Sequence, residues 1–199
     1  MSKQAWRILL VYPPFLEERI HDDDIRSMPI GLFNVAAVLK DAGYEVALLN
    51  LNQGQFPPAQ VTGLIEQFRP DVVGFSIMNA NRWGGIDLAR RVKALDARIV
   101  TVFGGVGASY LWQHFLTHFD AIDYIVIGEG EHAIVELAEL VLEHGGLSAA
   151  RLADVRGIVS WDGRDNEGRQ VANGAYFLRM VVGGSNGSLD EVFKLARLQ

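Results

Sequence analysis

Residues 70–105 read PDVVGFSIMNANRWGGIDLARRVKALDARIVTVFGG, and this stretch decides the fold. Val72 to Ile77 and Ile99 to Phe103 are short runs rich in β-branched and aromatic residues, apolar on both faces instead of alternating. Strands covered by helices on each side have that composition, because neither face meets water. Between them the spacing predicts a helix over Ile86 to Leu95. Strand, helix and second apolar strand make a βαβ unit, whose two strands lie parallel and whose crossover is right-handed.

The same alternation extends in both directions. Ile8 to Tyr12, Val46 to Asn50 and Tyr124 to Ile127 read as three more strands of this kind. Helices are expected over Ile30 to Ala42, Ala59 to Phe68, Ser109 to His118 and His132 to His144. Gly43 is placed to end the first, and the last carries a stripe of Ile134, Leu137, Ala138, Val141 and Leu142. The chain is therefore expected to be α/β, a doubly wound five-stranded parallel sheet of flavodoxin-like type in the order 2-1-3-4-5, over a domain 1–146. Beyond it, Gly157 to Trp161 and Arg169 to Asn173, joined by a polar turn, predict a β-hairpin appendage within 147–182. Tyr176 to Val182 could add one more strand. Gly183 to Ser188 reads as a linker, and Leu189 to Leu198 as a short amphipathic helix capped by Ser188.

Composition narrows the function. Of 199 residues, 49% are apolar and 21% charged, with a mean hydropathy of +0.13, which suits a buried core and carries no sign of disorder. Eighteen Lys and Arg against 24 Asp and Glu give a net charge of −6, so the basic stripe that a phosphate backbone requires is missing and nucleic acid is not an expected partner. The sequence has no cysteine, which removes thiolate nucleophiles, thiolate zinc sites and Cys-ligated iron–sulfur clusters. No apolar run approaches the length of a membrane span or a signal segment, so a cytoplasmic chain is expected.

In a sheet of this order ligands bind beyond the carboxyl ends of the strands, where the strand order reverses. The loops that matter are Pro13 to Pro29, Ser76 to Gly85, Gly104 to Ala108 and Gly128 to Glu131. The first is long for a strand-to-helix connection and opens on Pro13-Pro14, which hold the chain extended where a dinucleotide site would place a tight glycine turn. Neither G-x-G-x-x-G after the first strand nor a Walker-type G-x-x-x-x-G-K-[ST] is present. His21-Asp22-Asp23-Asp24 reads as a solvated acidic loop in preference to a metal cluster. Gly104-Gly105-Val106-Gly107-Ala108 has almost no side-chain bulk, either to let a large ligand approach the backbone or to turn into the next helix. Ser76 closes the third strand with a hydroxyl. At the end of the fifth strand, Glu131 suits the first turn of a helix, a duty Glu129 does not share.

Together these pieces resemble the cobalamin-binding domain that precedes the catalytic barrel in B12-dependent radical SAM enzymes. The resemblance is carried by Leu10-Val11-Tyr12-Pro13-Pro14, Pro29-Ile30-Gly31-Leu32, Leu39 to Val46, Pro70 to Met78, Val102-Phe103-Gly104-Gly105 and Asp123 to Glu131, in that order, and extends to the hairpin from Gly157. It implies that the loop from Tyr12, Pro13 and Pro14 lies against the corrin. Ser76, Ile77, Met78, Gly104 and Gly105 would line the slot for the nucleotide tail, Gly128, Glu129 and Gly130 would close its far side, and Val106 would be a further cofactor-binding residue.

Two departures sharpen the expectation. In the methionine synthase type of cobalamin domain a D-x-H-x-x-G motif supplies a histidine lower ligand to cobalt. With its last glycine set on Gly31, the aspartate falls on Arg26 and the histidine on Met28, so cobalamin is expected to bind here without a histidine ligand. A radical SAM barrel also needs three cysteines. The chain is thus expected to be a cofactor-binding module for a radical SAM domain or subunit that carries the reaction. Two rivals keep the fold. A small α/β enzyme would use Glu129 or Asp71 with His114 or His118. A cofactor-free interaction or receiver-like module would keep the fold alone, and a receiver's phosphoacceptor would have to be an aspartate ending the third strand, where Ser76 stands.

Overall fold

The computed structural model describes residues 6–16, 29–52, 56–144, 157–159, 174–184 and 187–197. Met28, the acidic stretch His21 to Asp24 and the expected strand Arg169 to Asn173 lie outside the described residues. Five parallel strands, β1 (Arg7–Tyr12), β2 (Glu45–Asn50), β3 (Val72–Ser76), β4 (Val100–Gly104) and β5 (Tyr124–Val126), form a sheet in the order β2-β1-β3-β4-β5. They alternate with α1 (Ile30–Asp41), α2 (Pro58–Phe68), α3 (Arg82–Leu95), α4 (Val106–His118) and α5 (Gly130–His144). This is the doubly wound order expected from the sequence.

Strand residues alternate between two apolar layers. Leu9, Val11, Val73, Phe75, Phe103 and Ile125 pack under α2, α3 and α4. Their neighbours Ile8, Leu10, Tyr12, Val72, Val102 and Val126 pack under α1 and α5. Gly43 ends α1 with φ +94°, a conformation costly for any side chain, and its N–H donates to the Lys40 carbonyl at 2.9 Å.

Three boundaries differ from the sequence reading. α3 and α4 begin four and three residues before the expected Ile86 and Ser109, so Gly84-Gly85 and Val106-Gly107-Ala108 are helical first turns and not loop. Glycine is a poor helix former, and packing selects it here. A Cβ on Gly84 would stand 2.3 Å from the Pro14 carbonyl oxygen, and one on Gly107 2.7 Å from the Met78 carbonyl carbon. The first arm of the expected hairpin is a sixth strand of the main sheet: β6 (Ile158–Val159) pairs antiparallel with β5, Val126 facing Ile158. Finally, the segment read as linker and helix is a β-hairpin, β7 (Gly174–Gly184) paired antiparallel with β8 (Gly187–Arg197). The register runs from Gly174 facing Arg197 to Gly184 facing Gly187. Cross-strand pairing along all eleven positions overrides the local helical periodicity of Leu189, Val192, Phe193 and Ala196.

Among the described residues, no helix is long and apolar enough to cross a membrane.

Candidate functional site

A cleft of about 630 Å³ lies at the carboxyl ends of β1, β3, β4 and β5, between the sheet and the amino-terminal turns of α1 and α5. It exists because of residue size on one face of the sheet. Along β3 the cleft face carries Gly74 and Ser76, and along β4 Val102 and Gly104, with Ser76 and Gly104 paired directly across the two strands. On the opposite face the same strands carry Phe75 and Phe103, whose rings meet edge to face at 5.3 Å. Glycine and serine leave room where phenylalanine fills it. A Cβ built on Gly104 would find nothing nearer than the Cβ of Val126 at 3.8 Å, so it would project into the cleft.

The floor is apolar and the mouth polar. Leu10, Leu32, Val102, Val126 and Ile134 are all buried at its base. Ser76 adds a hydroxyl whose oxygen makes no hydrogen bond among the described residues. At the rim, Ser109 joins two loops: its hydroxyl donates to the Gly105 carbonyl at 3.1 Å and accepts from the Gly128 N–H at 3.0 Å. Glu129 and Glu131 also stand there, Glu131 in the first turn of α5, where the helix dipole favours an acid. Around the mouth the surface is unusually apolar: Tyr110 is 83%, Ile30 68% and Val106 55% exposed, with Phe33 in the same turn of α1 as Ile30. Exposed apolar residues gathered at a cleft mark a binding surface.

Of the residues singled out from the sequence, Ser76, Gly104, Gly105, Val106, Gly128, Glu129 and Gly130 come together as lining of this cleft. Tyr12, Pro13, Pro14, Ile77 and Met78 do not line it. Tyr12 is buried and its hydroxyl donates to the Met78 sulfur at 3.3 Å, beside the cleft. Pro13 and Pro14 seat on the first turn of α3, against Gly84 and Gly85. The Ile77 side chain is fully buried in the α2–α3–α4 layer, and its main chain does the positioning. The Ile77 N–H donates to the Gly104 carbonyl at 2.7 Å, and its carbonyl accepts from the Gly107 N–H at 2.9 Å. Gly105, at φ +89°, has the conformation that favours glycine, and a Cβ there would lie 3.0 Å from the Ile77 oxygen. So the glycines after β4 divide their work. Gly104 opens the cleft, while Gly105 and Gly107 let the β3 and β4 loops touch.

Asn81 went unnoticed in the sequence. It is fully buried, its side-chain oxygen accepts from the Met78 N–H at 2.7 Å and its amide donates to the Ser76 carbonyl at 3.2 Å. It thereby fixes the turn that presents the Ser76 hydroxyl. Gly31 and Gly74, also in the lining, were missed as well. Gly74-x-Ser76 carries a usable signal, two small residues at strand period facing one side.

The residues of the rival enzyme reading are spread over the molecule. Asp71 accepts from the Arg7 N–H at 2.8 Å at the amino end of the sheet, opposite the end that holds Glu129. His114 and His118 stack at 4.6 Å on α4 and neither lines the cleft. Partial burial, with help from His118 and Arg82, holds the His114 pKa below its ordinary value. Among the described residues no group of three or more metal-ligating side chains converges.

Comparison with known proteins gives this geometry its context. The chain is 31% identical over 160 residues to the hopanoid C-3 methylase of Methylococcus capsulatus, a match covering 79% of this chain and 29% of that protein. It is 29% identical over 186 residues to the cytidylyl-2-hydroxyethylphosphonate methyltransferase of Streptomyces wedmorensis, covering 83% and 33%. Among solved structures it superposes on OxsB, a cobalamin-dependent S-adenosylmethionine radical enzyme with aqua-cobalamin and S-adenosylmethionine bound, with a TM-score of 0.65 at 18% identity, covering 83% of this chain and 22% of that one. The chain spans about a third or less of the length of these relatives. The B12 binding domain model matches residues 26–138, more than half of the sequence, and the chain belongs to the B12-binding domain family.

Proposed function

We propose that this protein is a cobalamin-binding module whose cleft takes the nucleotide tail while the corrin ring lies over the mouth. One observation carries the reading: the glycine-floored cleft of about 630 Å³, whose shape a single Cβ on Gly104 would alter. Its volume falls within the few hundred to about 1,000 Å³ of small-molecule sites, large enough for a nucleotide and too small for the whole cofactor. The macrocycle must then rest outside, where Ile30, Phe33, Val106 and Tyr110 offer it an apolar surface. Glu129 and Glu131 present acceptors to its amide side arms. Ser76, whose hydroxyl makes no hydrogen bond among the described residues, is poised to hold a polar group of the tail.

Bound cobalamin would supply a cobalt centre able to carry a methyl group. The residues here bind and orient it, and no side chain among them is arranged for chemistry of its own. With no cysteine in the sequence, an S-adenosylmethionine radical step would be carried by another domain or a separate subunit, in the cytoplasm. The methyltransferase names of the relatives support that class of partner. Because Met28 stands at the position of the ligand histidine in D-x-H-x-x-G, cobalt should have no histidine below it.

The test is retention. Protein incubated with aquacobalamin and passed through gel filtration should carry the visible spectrum of a corrinoid, and elution without colour would overturn the reading. Reduced to the cobalt(II) state, the complex should show no nitrogen splitting from an axial base. The Met28→His variant should introduce it if the Pro13 to Pro29 loop passes below the ring.

A further inference from the structure

Resting on the reading of the cleft as a tail site, we infer that this site selects the tail base by polarity, accepting a benzimidazole and rejecting an aminopurine. The base of the cleft is built from Leu10, Leu32, Val102, Val126 and Ile134, none more than 6% exposed, and they offer no hydrogen-bonding side-chain atom. Ser76 supplies the one hydroxyl on the strand floor. The remaining polar side chains, Ser109, Tyr110, Glu129 and Glu131, belong to α4, α5 and the loop before α5, at the mouth. Ser109 has both its hydroxyl contacts already engaged with Gly105 and Gly128.

Chemistry separates the two kinds of tail in such a site. Dimethylbenzimidazole joined to ribose keeps one free ring nitrogen, and its two methyl groups are apolar. Adenine in the same linkage keeps several ring nitrogens and an exocyclic amine with two N–H groups. One hydroxyl can serve the first base fully, whereas the floor has no further polar side chain to offer the additional nitrogens and the amine of the second. An unmet buried donor or acceptor loses the whole of its hydration, a penalty larger than the gain from an ordinary hydrogen bond. The methyl groups meanwhile gain by contact with Val102, Val126 and Ile134. Selection here arises from what the floor withholds, as it does wherever a site rejects a ligand by leaving its polar groups unpaired.

Three corrinoids test this on the unmodified protein, with affinity read by absorbance titration and gel filtration. These are cobalamin, its adenine-tailed counterpart and cobinamide, which has no tail. Cobalamin should bind at least tenfold more tightly than either of the others, since each unmatched polar group is sufficient for about that factor. An adenine-tailed corrinoid within tenfold of cobalamin would overturn the inference. Cobinamide binding as tightly as cobalamin would also overturn it, by showing that the tail stays out of the cleft, while leaving the corrinoid reading intact. If none of the three is retained, the proposed function itself fails. In a second measurement, Val102→Thr, which replaces one floor methyl by a hydroxyl at nearly constant volume, should narrow the gap between the cobalamin and adenine-tailed forms, and an unchanged or wider gap counts against the inference.

Discussion

The two faces of one sheet have been put to different uses. Under α2, α3 and α4, strand residues Val73, Phe75, Phe103 and Ile125 are buried to 2% or less and interlock with Trp112 and Phe115. Under α1 and α5, the same strands contribute Gly74, Ser76, Val102 and Gly104, and the carboxyl half of that layer is open. Both layers are drawn from adjacent residues, so neither strand order nor register distinguishes them. Side-chain volume alone does. A closed layer supplies the stability that lets the other stay hollow, and a hollow layer forgoes contacts that a filled one would make.

Breaking the packed face should have the largest effect. Phe103 meets Phe75 at 5.3 Å and Phe115 at 5.4 Å, edge to face on both sides. Phe103→Ala should cost about 3–5 kcal/mol, enough to lower Tm by roughly ten degrees in a domain of this size. Thermal melting checks it, and a shift of only a degree or two would mean that the layer repacks freely.

Filling the open face should do the reverse. Gly104→Val adds a β-branched residue to a strand at a position without positive φ and with space around it, so Tm should hold or rise slightly. Corrinoid retention should fall by about a hundredfold or more, on the order of 3 kcal/mol, because the new methyl groups occupy the slot. Gly105→Val is the sharper control. Its φ of +89° and its contact with the Ile77 oxygen predict that this variant loses stability as well as cofactor. If the two variants behave alike, the division of labour between these glycines is wrong.

Between the faces sits Asn81, which reaches from the packed side to hold the loop that carries Ser76. Asn81→Ala leaves the Met78 N–H and the Ser76 carbonyl without their partner, at a cost of about 1–3 kcal/mol. Corrinoid affinity should drop about tenfold at temperatures where the protein remains folded, since the hydroxyl is no longer held in place. Normal affinity with reduced Tm would make Asn81 a structural residue only.

The closed face was more legible in the sequence than the open one. Apolar strand runs alternating with amphipathic helices are a local signal, and strand order followed from connection rules. The glycines after β4 could be noticed as a small-residue cluster, but their separate duties depend on which loops meet: nothing local places Gly107 against Met78, or Gly84 against Pro14. Asn81 looked like any polar loop residue, because its burial depends on a turn closed by two backbone groups three and five residues away. Residues 187–197 show the opposite failure. A helical periodicity is visible in Leu189, Val192, Phe193 and Ala196, yet the segment pairs with β7 along its whole length: a helix of about ten residues is marginal by itself, and the competing strand pairing is not a local signal.

The smallest effect should come from the outside of the packed layer. His114 is exposed on α4, with the His118 ring 4.6 Å away and Arg82 nearby. Partial burial, then these two positive neighbours, hold its folded pKa below the ordinary 6.5. The unfolded chain therefore binds this proton more tightly than the folded one. Where the unfolded state holds more protons, stability rises with pH, so the contribution of His114 is fully present above about pH 7 and is lost as pH falls through 6.5 toward the folded value. Exposure screens the interaction, and the change in Tm between pH 7.5 and 5.5 should be about one or two degrees. His114→Gln should flatten that part of the profile and leave corrinoid binding unaltered at both pH values, since His114 lies on the face that does not form the cleft. A loss of cofactor affinity in this variant would mean that the two layers are coupled through α4, whose first turn lines the cleft and whose later turns pack under Phe103.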